Sequence, residues 1–214
     1  KSKFFMSFRF EKKTLFHISD YLKLKTFIFN SGGVELYPKR KISSLYFDNH
    51  ENNMYLDSED GCLPRKKIRI RTYPENKNDS EYFFETKISS VEGRYKIVNK
   101  INKKNYRNLQ QKGFFDNIYG MCYPKIRILY FREYFSLFNQ RITLDQDIQY
   151  KCFKSNRYMR DKESIILEIK SNNMINVDLF KNIVPFQRLR ISKYCDGFNK
   201  LFNRNENQRL NQLL

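Results

Sequence analysis

The 214-residue sequence predicts a mainly β, α+β chain rolled into a closed antiparallel barrel of about eight strands with flanking helices. Three observations carry this expectation. Short segments of alternating character recur along the chain, bounded by polar turns. Helical periodicity is confined to a few stretches. Many of the strand-like segments place Lys, Arg and Glu on one face and Ile, Leu and Phe on the other. The clearest is Lys66–Tyr73, Lys-Lys-Ile-Arg-Ile-Arg-Thr-Tyr. On an extended chain Lys67, Arg69, Arg71 and Tyr73 share one face, and Ile68, Ile70 and Thr72 the other. Arginines two positions apart stand roughly 7 Å from each other and repel, so this row needs water or an anion in front of it.

Taken in order, Phe4–Lys13 alternates well enough for a first strand, with Arg9, Glu11 and Lys13 on one face. His17–Phe29 carries a helical stripe of Ile18, Tyr21, Leu22, Leu24 and Ile28; Ser19 or Asp20 would cap it and Ser31-Gly32-Gly33 would end it. Ile42–Asp48 reads as a second strand, and Asn49–Gly61 as a turn with a short helix. The Lys66–Tyr73 strand turns at Pro74–Asn78 and pairs back through Glu81–Ser89, where Phe83, Glu85 and Lys87 share a face. Arg94–Val98 is a short strand presenting Arg94 and Lys96, and Lys103–Gly113 is helical. Pro124–Tyr134 puts Tyr130 and Arg132 together; Arg141–Gln149 does the same for Arg141, Thr143 and Asp145. Ser164–Lys170 sets Ile166, Glu168 and Lys170 against Ile165, Leu167 and Ile169. Gln187–Tyr194 closes the sheet, and Asp196–Leu214 is a terminal helix. Two arrangements fit this pattern: an apolar core with charges outside, or a wide barrel with a polar lumen and helices over an apolar exterior.

Composition narrows the partners. With 41 Lys and Arg against 23 Asp and Glu, the formal net charge of +18 calls for a polyanion: nucleic acid, polyphosphate, a phosphorylated metabolite or an anionic membrane. The apolar fraction of 40% suffices for a core. Cys62, Cys122, Cys152 and Cys195 form no C-x-x-C pair, which argues against zinc and a disulfide framework and for a reducing, cytoplasmic setting. No apolar run reaches the about 18 residues a membrane span needs. No signal peptide or internal linker is visible, so residues 1–214 are expected to form one domain; the chain begins at Lys1 without Met, which predicts trimming at its start. His17 and His50 have no partner spacing.

Seven short motifs then occur in a telling order: Tyr46-Phe47-Asp48, Lys67–Tyr73, Glu85-Thr86-Lys87, Tyr130-Phe131-Arg132, Arg141–Asp145, Leu167–Lys170 and Arg190–Tyr194. In that order they resemble the polyphosphate-polymerase domain of vacuolar transporter chaperone (VTC) proteins, within the CYTH-related triphosphate tunnel metalloenzymes. The resemblance implies a triphosphate-tunnel barrel with a basic lumen that binds ATP and a divalent metal, Mn²⁺ or Mg²⁺, and transfers the γ-phosphate onto inorganic polyphosphate. It implies that Arg69 and Arg71 bind the triphosphate, with Lys13, Lys87, Lys96, Arg132 and Arg141 around the lumen. Tyr130 would line the wall near the nucleotide, Glu168 would hold the metal, and Arg190, Ser192 and Lys193 would bind phosphate near the far mouth. CYTH triphosphatases carry E-x-E-x-K on the first strand. Here Arg9 stands where the first Glu would be, which argues for the polymerase branch and leaves Glu11 as a candidate metal helper.

Phosphoryl transfer rests chiefly on positioning and charge stabilisation. An Arg fork binds two phosphate oxygens, and a hard ion that keeps its waters can be held by one main carboxylate. An ionised phosphate acceptor needs no general base, in keeping with a chain that shows no catalytic histidine. The alternatives are a metal-dependent triphosphatase and a non-catalytic polyphosphate or inositol-phosphate binding module. No nucleic-acid motif is present.

Overall fold

The computed structural model describes residues 3–6, 10–74, 81–172 and 191–202, the first of these segments by its backbone alone. Its strands are β1 (Lys3–Met6), β2 (Phe10–His17), β3 (Val34–Asp48), β4 (Arg65–Thr72), β5 (Tyr82–Ser90), β6 (Gly93–Ile101), β7 (Phe114–Asp116), β8 (Gly120–Leu137), β9 (Gln140–Cys152), β10 (Tyr158–Asp161) and β11 (Ser164–Ser171). The helices are α1 (Tyr21–Asn30), α2 (Asn53–Asp60), α3 (Lys103–Lys112) and α4 (Lys193–Phe202).

The strands form one antiparallel sheet in the order β1-β6-β5-β4-β3-β8-β9-β11-β2, with β7 on β8 and β10 on β9. Where eight strands were expected, eleven are present among the described residues, and their pairing path runs from β1 to β2. The expected first strand is divided, its early part pairing with β6 and its later part with β11. A second correction concerns Lys193 and Tyr194, read from the sequence as strand. They open α4, because Tyr194, Cys195, Phe198 and Leu201 recur at helical spacing and bury together. Residues 187–190, and with them Arg190, lie outside the described residues, as does Arg9.

Which face is inside is settled by burial. On β4, Ile68 and Ile70 pack with Leu45 and Phe47 of β3 and Met54 of α2, and α3 adds Tyr106 and Leu109. On the other half of the sheet Phe16, Leu144, Leu167 and Ile169 are covered by Leu24 and Ile28 of α1. These helices lie on the apolar face. The charged face curls in on itself: Lys87 of β5 lies within the electrostatic reach of Lys13 and Glu11 of β2 and of Glu168 of β11, although these strands are far apart in the pairing order. Of the two arrangements that the sequence left open, the one with enclosed charges is observed.

At the end of this enclosed face nearest α4 the charges give way to a cluster in which Tyr194, Cys195, Phe198 and Leu201 pack on Tyr46, Ile126, Ile128, Ile148 and Tyr150. A bulge in β9 makes this cluster. Three residue steps, Gln146 to Gln149, oppose the two from Phe131 to Leu129, and Asp147 takes φ 51°. The extra residue reverses the alternation, so odd positions up to Asp145 and even positions from Ile148 face the same way.

Candidate functional site

The site is built from neighbouring strands whose paired positions share a face. Arg69 lies opposite Tyr46 on one side and Glu85 on the other; Lys67, Lys87 and Lys96 form the adjacent row. Arg132 pairs with Asp145, and Thr143, Glu168 and Lys13 line up across β9, β11 and β2.

Three carboxylates organise the cations. Glu85, 3% exposed, accepts from Arg69 Nε at 2.7 Å and from Lys96 Nζ at 2.7 Å, with Arg71 at 3.8 Å. Burial would raise its pKa, but these three charges hold it far below the usual carboxylate range. Asp145, fully buried, accepts from Arg132 at 2.5 and 2.6 Å and from Lys193 at 2.5 Å, which ties the first residue of α4 into the site. Glu168 stands 3.2 Å from Lys170, 3.6 Å from Arg132 and 3.7 Å from Lys13. Burial again works against ionisation, and Lys13, Lys170 and Arg132 overcome it.

Cations outnumber these partners. The ammonium of Lys87 has no hydrogen-bond or ion-pair partner among the described residues; burial, then the charges of Arg69 and Lys13, push its pKa well below that of an ordinary lysine. Arg71 reaches Tyr130 Oη at 3.4 Å, yet its Nε is buried and makes no hydrogen bond to any described group. A surplus of buried positive charge beside an orphaned donor is an anion site in waiting, since each group recovers its lost hydration only by binding an anion or water.

The other expected residues fall as follows. Tyr130, 2% exposed, has Lys193 and Arg132 over its ring at 4.8 and 5.4 Å. Burial favours its neutral form, but Arg132, Arg71 and Lys193 more than offset that and lower its pKa. Ser192 accepts from Lys67 Nζ at 2.9 Å. Arg141 lies on the same face as Thr143, is the cross-strand partner of Lys170 and is exposed at the strand end. Sequence reasoning passed over Glu85 and Tyr46 as site residues. Glu85 was legible as the same-face neighbour of Lys87, and Tyr46 accepts from Arg69 Nη1 at 2.8 Å.

For a divalent ion the fit is a matter of donors. Among the described residues no three His, Cys, Asp or Glu side chains converge. Glu11 does reach Glu168 from the adjacent strand, and Lys13 bridges the two, 2.9 Å from Glu11. Mg²⁺ and Mn²⁺ complete their shells with water and substrate phosphate oxygens, so these two carboxylates suit either ion when a triphosphate is present.

At the end away from α4 the same face becomes aromatic. Tyr37 and Tyr134 are cross-strand partners in edge contact at 5.5 Å, and Tyr73 meets Phe83 at 6.1 Å.

The sequence profile of the VTC domain matches residues 8–202. No curated protein sequence matches the chain. Among solved structures, a proposed adenylate cyclase from Bacillus halodurans superposes with a TM-score of 0.61 at 11% identity, over 87% of this chain and 94% of that one. The PH1819 protein of Pyrococcus horikoshii does so with a TM-score of 0.57 at 13% identity, over 90% and 99%. At these identities the likeness is one of fold.

Proposed function

Because the chain belongs to the VTC domain family, we propose that its enclosed cationic face is a phosphate channel that binds ATP and passes the γ-phosphate to inorganic polyphosphate. The observation that carries this is the buried Lys87 ammonium, which has no partner among the described residues, beside the orphaned Nε of Arg71. A closed channel is part of the proposal, β1 and β2 being the two ends of the observed pairing path. Arg69, Arg71, Lys87 and Arg132 would bind triphosphate oxygens and align donor with acceptor; Lys13 and Lys96 would supply flanking charge. Arg190, Ser192 and Lys193 would meet phosphate near α4, and Arg141 at the opposite mouth. Glu168, helped by Glu11, would hold Mn²⁺ or Mg²⁺, which when bound supplies Lewis-acid polarisation of the phosphoryl group. The reading places the reaction in the cytosol, where ATP is supplied and free thiols persist.

Purified protein with ATP and Mn²⁺ is expected to make polyphosphate visible on gels. Arg71→Gln is expected to lower the rate on the order of 10²-fold or more, the scale of losing one preorganised charge in such a site. No polymer with either metal would refute polymerase activity. A second reading, transfer to water, is favoured by the closeness of Glu11 and Glu168, which together could orient a water molecule. Free phosphate without chain growth is its signature.

A further inference from the structure

We propose that the mouth away from α4 carries a nucleobase platform formed by Tyr37, Arg40 and Tyr134, so that a nucleoside triphosphate binds with its base outward and its phosphates inward. The inference rests on the reading that the interior binds triphosphate, and it assigns the residues that would tell ATP from a bare phosphate chain.

A bulge in β3 between Tyr37 and Arg40 puts both on the face of Arg132: Tyr37 pairs with Tyr134, and Arg40 with Arg132. The Arg40 guanidinium lies 4.9 Å from the Tyr37 ring and 5.4 Å from the Tyr134 ring. Among the described residues no carboxylate or hydrogen-bond acceptor meets that guanidinium, so its donors are available to an anion. Tyr37 is 49% exposed, which leaves ring surface open beside a planar cation. Aromatic rings and Arg planes stack bases of any identity, and the same Arg can bind a phosphate oxygen. Deeper in, the orphaned Nε of Arg71 marks where an anionic tail would go. Tyr130 cannot serve as the platform, because it is 2% exposed and its ring already carries two cations. The base therefore belongs at the mouth.

The test compares ATP with inorganic tripolyphosphate, each with Mg²⁺, by calorimetry on wild-type protein and Tyr37→Leu. Loss of one stacking partner should weaken ATP about tenfold and leave tripolyphosphate within about twofold. Arg40→Gln should likewise weaken ATP more than tripolyphosphate. The 5′-triphosphate of 2-aminopurine riboside gives an independent signal: its fluorescence should be quenched on binding to wild type and recover in Tyr37→Leu. If tripolyphosphate binds but Tyr37→Leu weakens both ligands equally, or neither, the platform is overturned and the interior site stands. If tripolyphosphate does not bind the wild-type protein, the interior site and the platform fall together.

Discussion

Lys87 is the residue on which the electrostatics turn. Its ammonium feels the charges of Arg69 and Lys13 more strongly than the attraction of Glu11 and Glu168, and its pKa is driven down by burial first and by those cations second. An anion beside it would reverse the shift, so binding takes up a proton. The sign follows: tripolyphosphate affinity should be greatest at pH values below the lowered pKa and fall as pH rises through it, well before an ordinary lysine titrates. Titration calorimetry across pH reads this directly. Lys87→Arg, charged throughout, should flatten the decline beyond what the ligand's own titration causes; an unchanged profile would remove Lys87 from the anion site. That Arg69 and Arg71 share a face was legible from alternation alone, and that Lys87 joins them was implied by the family resemblance. That Lys87 makes no direct ion pair among the described residues was not legible, because Glu85, two positions away, is drawn instead to Arg69, Arg71 and Lys96.

Among the elements, α4 is the one most closely fitted to the site. Its body from Asp196 onward was legible as helix from the apolar stripe of Phe198 and Leu201, but its first residues continue an alternating pattern, and only the burial of Tyr194 and Cys195 with that stripe shows that the helix begins at Lys193. Tyr194 stacks on Tyr46 at 5.1 Å and donates to the buried Asp48 carboxylate at 2.6 Å, which also accepts the Met54 and Tyr55 N–H groups of α2. A Cβ on Gly197 would lie 2.5 Å from the Tyr150 ring. Gly197→Ala should therefore cost about 1–3 kcal/mol by overpacking, outweighing the usual gain of Ala in a helix, and urea unfolding measures it. The variant should also bind tripolyphosphate more weakly, since Lys193 moves with the helix. Asp196 adds a pH effect. Burial pushes its carboxyl up to about 6, against the pull of Lys193 and Lys200 and with Glu59 reinforcing. A raised acid contributes stability at low pH that is lost as pH climbs from about 4 through 6. Asp196→Asn should abolish that loss in urea midpoints taken over this range; an unaltered slope would show that the carboxyl is not the cause. The β9 bulge was equally hidden: nothing in Arg141–Gln149 announces that the alternation reverses at Asp147, a turn fixed by the paired bonds of Arg160 to Asp147 and of Gln146 to Glu133.

For the molecule as a whole, the sequence carried the two-faced strands and the order of the motifs, while enclosure came from the pairing. The eleven strands of the described residues curl so that basic rows from opposite parts of the sheet confront one another, with apolar rows turned outward beneath α1, α2 and α3. A charge surplus of +18 over the chain said only that a polyanion is wanted; the fold says where it would sit. The most direct test is a crystal structure of the protein with tripolyphosphate and Mn²⁺. The anion is expected inside the curled sheet, its oxygens on Arg69, Arg71, Arg132 and Lys87. Density for the anion on the outer surface instead, against the lysines of α3 and with the interior unchanged, would contradict the central claim.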